Sequence, residues 1–151
     1  MVAIIVPENY GLAVVVALGA IPLLSFIHGT VASSLRKKAN VPYPFCYATI
    51  EQCKSNPKAE QYNCAQRAHS NFLENATQTM LFILIAGLKY PNAATIIGGA
   101  WLISRVAFLY GYVYSGKLQG RGRHLGSTFW LCQGALWALT VFGFARDLIN
   151  I

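Results

Sequence analysis

The sequence predicts an all-helical integral membrane protein, a bundle of four transmembrane helices. Of its 151 residues, 55% are hydrophobic and only 11% are charged, and the mean hydropathy is +0.43. This number of charged side chains is too small to cover the surface of a soluble globular protein. The composition therefore favours a protein embedded in a lipid bilayer. Four apolar stretches are each long enough to cross roughly 30 Å of hydrocarbon. Residues 1–151 are expected to form one membrane domain.

The four apolar stretches are separated by two loops and one tight turn. We predict spans over residues 10–35, 64–89, 93–114 and 125–144. Pro22 lies inside the first span and should bend that helix without ending it. The first loop contains three prolines, Pro57 among them, the turn is centred on Pro91, and the third loop reads GKLQGRGRH.

The distribution of basic residues predicts the orientation in the membrane. The first and third loops are rich in Lys and Arg, whereas the second has only Lys89. Loops of this kind stay in the cytosol, so loops one and three should be cytosolic and both termini lumenal. Glu8 precedes the first span in place of the basic residues of a signal peptide, and the apolar run is longer than a signal core. This segment should therefore remain in the mature protein.

Charge and cysteine content exclude two other classes of site. The net charge is +7, but the basic residues lie beside apolar segments, which suits anionic lipid headgroups or a small acidic ligand. We therefore expect no nucleic-acid partner. The four cysteines match no zinc-binding spacing, and those in the first loop face a reducing compartment. We interpret them as ordinary thiols and expect no metal site.

The second predicted span is unusual because one of its faces is polar. Its first half reads CAQRAHSNFLENATQ, and five polar residues in it recur at helical spacings that place them on one face. Ionisable groups inside a bilayer cost at least about 2.5 kcal/mol each and are kept for a structural or functional reason. This polar stripe consists of Arg67, Asn71, Glu74, Asn75 and Gln78.

Within the stripe, Arg67 and Glu74 are two helical turns apart, about 10 Å along the axis. We expect them not to pair directly but to hold opposite ends of an extended zwitterion. In the third span, Arg105 is expected to form a structural ion pair with Glu74, and an arginine paired in this way can still line a ligand cavity. Tyr112 lies on the same side of that span as Arg105. It fits a ligand site or simple packing equally well.

Several other polar residues have a structural and a functional interpretation. Arg36, Lys37 and Lys38 fit a topology signal better than a ligand site. His28 is expected to make a hydrogen bond between helices, and His69 fits a helix contact or a ligand contact. In isolation, Arg121 and Arg123 would best be headgroup anchors. The sequence contains no Ser-His-Asp set and no phosphate-binding loop, so a nucleophile supplied by the protein has no support.

Three segments, in order, resemble the family of membrane-associated proteins in eicosanoid and glutathione metabolism. RAHSNFLEN, residues 67–75, is similar to the family signature. SRVAFLYGY, residues 104–112, is similar to its third-helix motif, and VPYP, residues 41–44, to the loop after its first helix. The resemblance covers nearly the whole chain. It implies a homotrimer in the endoplasmic reticulum membrane or the outer mitochondrial membrane, with glutathione bound between subunits near the cytosolic face.

The resemblance also implies a reaction, in which a bound glutathione thiolate attacks a lipophilic electrophile or a lipid hydroperoxide delivered by membrane lipid. The catalytic arginine of the family follows the third-helix tyrosine closely. Arg121 and Arg123 both fall there, and we prefer Arg121, although the loop length does not decide. A guanidinium favours the thiolate electrostatically. The residues implied to hold glutathione are Arg36, Lys37, Arg67, His69, Asn71, Glu74, Arg105 and Tyr112.

Two positions depart from a characterised member of the family, leukotriene C synthase. Asn75 and Phe108 stand where that enzyme has tyrosines, so two hydroxyl contacts are missing and affinity or substrate choice should differ. The family also resembles the five-lipoxygenase-activating protein, a lipid-binding scaffold without catalysis, which gives an alternative function. The polar stripe and the loop arginines favour the enzyme, because a scaffold does not require them. A transporter would need helix breaks in paired halves, and only Pro22 interrupts a span.

Overall fold

The computed structural model describes residues 5–149, apart from the side chains of residues 118 and 119. This part of the chain contains helices and no strands, which confirms the predicted all-helical class. The five helices are α1 (Tyr10–Ala39), α2 (Ile50–Ser55), α3 (Pro57–Gly87), α4 (Pro91–Tyr114) and α5 (Phe129–Ile149), and a 3-10 helix spans Leu118–Gly126.

Helix α1 continues through Pro22, as predicted, but it ends four residues later than expected. It contains a π-helical segment, Val15–Ala20, just before the proline. Its last turn carries the basic residues that were expected to follow it, where cations interact favourably with the unpaired carbonyl groups of a helix C-terminus. Asn40, with φ 53°, adopts the left-handed conformation that ends many helices.

The first loop is shorter than predicted because α3 begins before the predicted end of the loop. The remaining loop contains the short helix α2. Thr49 caps α2 in a reciprocal capping box with Gln52. Pro57 was predicted to lie within the loop, but it opens α3, a position that suits proline because it lacks an N–H. The Asn56 side chain accepts a hydrogen bond from the Lys58 N–H at 2.9 Å. The predicted start at residue 64 was therefore wrong by two helical turns.

Helix α4 begins at Pro91, within two residues of the prediction. Helix α5 begins at Phe129, later than predicted, and reaches Ile149 through a π-helical segment, Leu139–Ala145. The Gly/Arg-rich third loop is not irregular, because most of it is the 3-10 helix.

Two helices, α1 and α4, are long and apolar enough to cross a membrane. The 3-10 helix and α5, bent by 44° at their junction, count as a third candidate if they are taken as one span. Helix α3 has 31 residues, but its polar stripe keeps it outside this set. The prediction of four spans is thus confirmed for two or three of them, and the chain has the helices of a membrane protein.

The chain divides into two compact units. In the first, residues 5–22, 75–103 and 128–149, small side chains let helices approach closely. Gly87 lies against Ala13, so that a Cβ on this glycine would be 3.1 Å from the alanine Cβ. The Thr140 hydroxyl donates to the carbonyl oxygen of Phe82 at 3.3 Å. Lys89 and Asp147 form an ion pair.

The second unit consists of residues 23–74 and 104–127, and it contains every predicted site residue. Glycines hold its 3-10 helix against α4. A Cβ on Gly111 would collide with the carbonyl oxygen of Gly122, and one on Gly126 would collide with the backbone of Ser104. The 3-10 helix, which carries both candidate catalytic arginines, is therefore fixed to the helix that carries Tyr112.

Candidate functional site

The polar stripe of α3 contains a direct ion pair between Arg67 and Glu74. Arg67 Nη1 lies 2.7 Å from Glu74 Oε1, and Arg67 Nη2 donates to Glu74 Oε2 at 3.4 Å. The expectation that two turns of separation prevent pairing was wrong. Helical side chains lean toward the N-terminus, so Glu74 reaches back toward the long arginine. Both side chains stay about half exposed, at 47% and 51%.

Asn71 connects this ion pair to Arg105 of α4. Its amide nitrogen donates to Glu74 Oε2 at 3.4 Å, and its amide oxygen accepts a hydrogen bond from Arg105 Nη1 at 2.8 Å. Arg67 makes the direct ion pair with Glu74, and Asn71 connects Arg105 to the same carboxylate. Arg105 is buried between aromatic rings, with its guanidinium 5.3 Å from the ring centre of Phe72 and 4.8 Å from that of Phe108.

The remaining members of the stripe are exposed to different degrees. Gln78 is exposed, whereas Asn75 is buried. The Gln78 amide donates to the side-chain oxygen of Asn75 at 3.3 Å. The prediction of one polar face holds for Arg67, Asn71, Glu74 and Gln78, but Asn75 lies at the edge of that face and points into the protein.

His69 makes a helix contact, which is one of the two roles left open for it. Its ring lies against Gly29 of α1 and 6.3 Å from the ring of His28. His28 is fully buried and packs on Phe72 with ring centres 4.6 Å apart. Neither ring nitrogen of His28 has a hydrogen-bond partner among the described residues. The predicted hydrogen bond between helices was therefore wrong.

Arg36 fixes the loop that follows α1. Its Nη1 donates to the carbonyl oxygen of Phe45 at 2.6 Å, and its guanidinium lies 4.4 Å from the ring centre of Tyr43 and 5.0 Å from that of Tyr62. The neighbouring Lys37 is exposed. Arg36 thus has a structural role within its own chain, and Lys37 is the member of the pair that remains open to a ligand.

Tyr112 lines a cavity of about 280 Å³ at the end of α4. Its ring packs edge-on against Phe108, with centres 5.5 Å apart, and lies against Gly120 of the 3-10 helix. Sequence analysis did not single out the other residues of this wall. Cys64 is one of them, and its spacing of three from Arg67, on the same helical face, was the available signal. The cavity is also lined by Gln61 and Lys117.

The two candidate catalytic arginines occupy different environments in the 3-10 helix. Arg121 is exposed. Arg123 is partly buried and donates to the carbonyl oxygen of Gly120 at 3.2 Å. The structure therefore places Arg123 and Tyr112 at the same glycine, Gly120, and leaves Arg121 at the surface.

The thiols and the acidic residues offer no competing chemistry in the described segment. All four cysteines are free, and partial burial raises the pKa of the Cys53 thiol in α2, which keeps it protonated. Within residues 5–149, no group of three His, Cys, Asp or Glu side chains is arranged to hold a metal ion.

The chain was compared with models of known protein families. The family model described as the MAPEG family matches residues 14–142. The chain belongs to the MAPEG family. MAPEG proteins are membrane proteins that generally use glutathione, and the family includes glutathione transferases as well as members without enzymatic activity. The resemblance found in the three sequence motifs is thus confirmed at the level of the family, and the matched segment contains every candidate site residue.

Proposed function

We propose that this MAPEG protein is a membrane-bound glutathione transferase with peroxidase activity, of the microsomal glutathione transferase 3 type. The observation that carries the proposal is the exposed ion pair of Arg67 and Glu74, connected through Asn71 to the buried Arg105. An arginine and a glutamate on one open face match the carboxylates and the ammonium group of glutathione. The ligand replaces the internal pair with two intermolecular ones, so neither Arg67 nor Glu74 loses a partner of opposite charge.

The exposed ion pair of Arg67 and Glu74 also supports assembly of the protein into an oligomer. A face that carries two half-exposed charges cannot contact hydrocarbon, because charges inside a bilayer are costly unless they meet protein, ligand or water. We propose that α3 spans the membrane as the fourth helix of a single domain and that its polar face meets the neighbouring subunit of a homotrimer. Glutathione then lies between subunits, with His69 and Lys37 at the edges of its site. The partly exposed Arg36 completes the opening.

The proposed transferase reaction needs a cation beside the sulfur of glutathione. This sulfur, as a thiolate, is the nucleophile. Arg123 is the better placed of the two arginines within one chain, because it is partly buried and donates to Gly120, which packs against the Tyr112 ring. Arg121 is exposed and free to reach across an interface. A guanidinium there favours the thiolate over the thiol. A lipophilic electrophile or lipid hydroperoxide enters from the surrounding lipid, since both are more soluble in the bilayer than in water.

The orientation follows from the loops. We propose a multi-pass protein of the endoplasmic reticulum, or of the outer mitochondrial membrane, with lumenal termini in the first case. Loops one and three then face the cytosol, where glutathione is abundant and reduced.

The experiment that tests catalysis separates binding from turnover. Replacing Arg121 and Arg123 together with Ala should lower kcat by about a hundredfold or more, the usual cost of removing a charge that stabilises a reacting centre, while glutathione affinity changes by less than about threefold. Arg123→Ala alone should account for most of the loss. Turnover of a lipophilic acceptor and calorimetric titration measure the two quantities, and unchanged turnover in the double variant would reject the assignment.

The alternative is a lipid-binding scaffold without catalysis, like the five-lipoxygenase-activating protein. A scaffold gains nothing from the Arg67 and Glu74 pair on an open face, so the pair favours the enzyme. The scaffold would be the better description if the purified protein bound lipid yet turned over no acceptor in the presence of glutathione.

A further inference from the structure

A groove in the first unit contains a buried amide that the proposed chemistry does not use. The groove has a volume of about 240 Å³ and lies between α3 and α5. Two indole rings and a phenyl ring provide apolar walls, and two amide side chains provide the polar groups. Its lining residues are Gln78, Phe82, Trp130, Gln133, Gly134 and Trp137.

The geometry of α5 creates the groove. Trp130 and Trp137 are seven residues apart, which places their indoles two turns apart on one face of the helix. Gly134 lies between them, and a Cβ added there would meet nothing within 4 Å. Gly134 therefore faces the open space of the groove, and only a side chain much larger than a methyl group would fill that space.

Gln133 gives the groove a specific chemistry. The residue is only 6% exposed, and its side-chain carbonyl oxygen is buried without a hydrogen-bond donor among the described residues. The walls around this carbonyl are mostly apolar, and the other polar side chain that lines the groove is the amide of Gln78. A buried acceptor of this kind is stabilised by a ligand that brings a donor with it.

We infer that the groove binds a lipid that carries an O–H group on a long apolar chain, with Gln133 accepting the hydrogen bond and the chain lying between Trp130 and Trp137. No charged side chain lines the groove, so an ionised carboxylate or a phosphate has no counter-charge there. Fatty alcohols, sterols and acyl hydroperoxides all share the required chemistry. The inference does not depend on glutathione binding, because lipid occupancy is measured without glutathione.

The test compares two probes that differ only in the donor. The full-length protein is placed in phosphatidylcholine nanodiscs and titrated with a chain-brominated fatty alcohol or with its methyl ether, and bromine quenching of tryptophan fluorescence reports contact. Trp130 and Trp137 are about half exposed, whereas Trp101 is fully buried, so quenching reports mainly on the groove. The alcohol should bind about tenfold more tightly than the ether, as expected for one hydrogen bond to a buried acceptor.

Two variants and a control complete the design. Gln133→Leu should bind alcohol and ether equally, because the acceptor is gone while the apolar walls remain. Gly134→Phe should bind neither probe, because the added ring fills the groove. The control is Ala135→Phe, which adds the same ring at an exposed position outside the groove. This control should still prefer the alcohol by about tenfold. A brominated sterol and a brominated hydroperoxide then separate the sources of the O–H group.

Two results would overturn the inference. One is equal affinity of the wild-type protein for alcohol and ether, which requires no variant to fold. The other is a change of oligomeric state in Gly134→Phe with unchanged lipid quenching, since this would assign the groove to a second copy of the chain.

Discussion

Arg67 and Glu74 form an ion pair on one helix that remains open to solvent or to a neighbouring molecule. Their charged atoms lie 2.7 Å apart, yet about half of each side chain is exposed. An exposed ion pair contributes little to stability, typically about 0–1 kcal/mol. Exchanging this pair for the charges of a ligand would therefore cost little free energy, whereas breaking a buried pair costs several kcal/mol.

The role of Glu74 gives the first prediction. If its carboxylate holds the ammonium group of glutathione, wild-type protein should bind glutathione about tenfold or more tightly than N-acetylglutathione, which has no ammonium group. Glu74→Gln should bind both compounds with similar affinity. Calorimetric titration measures both.

Asp147→Asn is the matched control, because Asp147 belongs to the other ion pair of the described structure and should leave the preference intact. A Glu74→Gln variant that still discriminated by tenfold would show that the carboxylate does not hold the amine.

His28 gives a second prediction at this scale. It is fully buried, and its ring nitrogens have no partner among the described residues, so desolvation of the imidazole opposes folding. His28→Leu should leave the free energy of unfolding unchanged or raise it by about 1 kcal/mol. Tyr62→Phe is the contrast, because it removes the hydrogen bond from the Tyr62 hydroxyl to the carbonyl oxygen of Cys46 at 2.7 Å, and should lower stability by about 1 kcal/mol.

Thermal unfolding in one detergent ranks the two variants. A loss of stability in His28→Leu as large as that in Tyr62→Phe would mean that His28 has a partner, such as a bound water molecule, which holds it in place.

Helical spacing predicts which residues share a face but not which of them touch. The polar stripe was visible in the sequence because a period of 3.6 residues fixes the direction of each Cβ. The contact between Arg67 and Glu74 was not visible in the sequence, since it depends on the length and the rotamer of each side chain. The hydrogen bond of Arg36 to Phe45 was also hidden, because it depends on how the loop folds back.

At the scale of helices, hydrophobic stretches located every long helix, but their ends were less accurate. Helix α3 was predicted to start at residue 64 because the apolar residues begin there, yet it starts at Pro57. Its first two turns are polar, so only the cap of Asn56 and the proline signal that start. The 3-10 helix was predicted as a loop, since three glycines suggest a break in the chain. Two of them, Gly120 and Gly122, are required instead by close packing on α4.

The close packing of the 3-10 helix gives a third prediction. Gly111→Ala should lower the free energy of unfolding by about 1–3 kcal/mol, because the added methyl group collides with the carbonyl oxygen of Gly122. Gly99→Ala, on the same helix, meets nothing within 4 Å and should be neutral or up to about 1 kcal/mol stabilising through helix propensity. Thermal unfolding and limited proteolysis of the third loop report the two outcomes.

If the proposed catalytic role of this segment is right, Gly111→Ala should also reduce turnover more than it reduces glutathione affinity, since it displaces Arg123 and leaves the polar stripe in place. Equal stability of the two alanine variants would contradict the close packing.

At the scale of the whole molecule, the family and the apolar helices define a membrane protein, and the sequence predicted both. The number of spans was harder to establish because α3 combines the length of a span with a polar face. Composition alone does not distinguish a span that faces lipid from one that faces a partner. The proposed trimer resolves this by covering the polar face of α3 with a neighbouring subunit.

The most direct measurement is calorimetric titration of the purified protein with glutathione, beside a variant in which Arg67 and Glu74 are exchanged, Arg67→Glu with Glu74→Arg. The exchanged pair keeps its own ion pair, so the variant should fold and assemble like the wild-type protein. In the exchanged variant, the groups that hold the charged ends of glutathione carry the same sign of charge as those ends. The wild-type protein should therefore show saturable binding of glutathione, and the exchanged variant should show none. Equal binding by both proteins, or no binding by the wild-type protein at millimolar glutathione, would contradict the assignment of this face as the glutathione site.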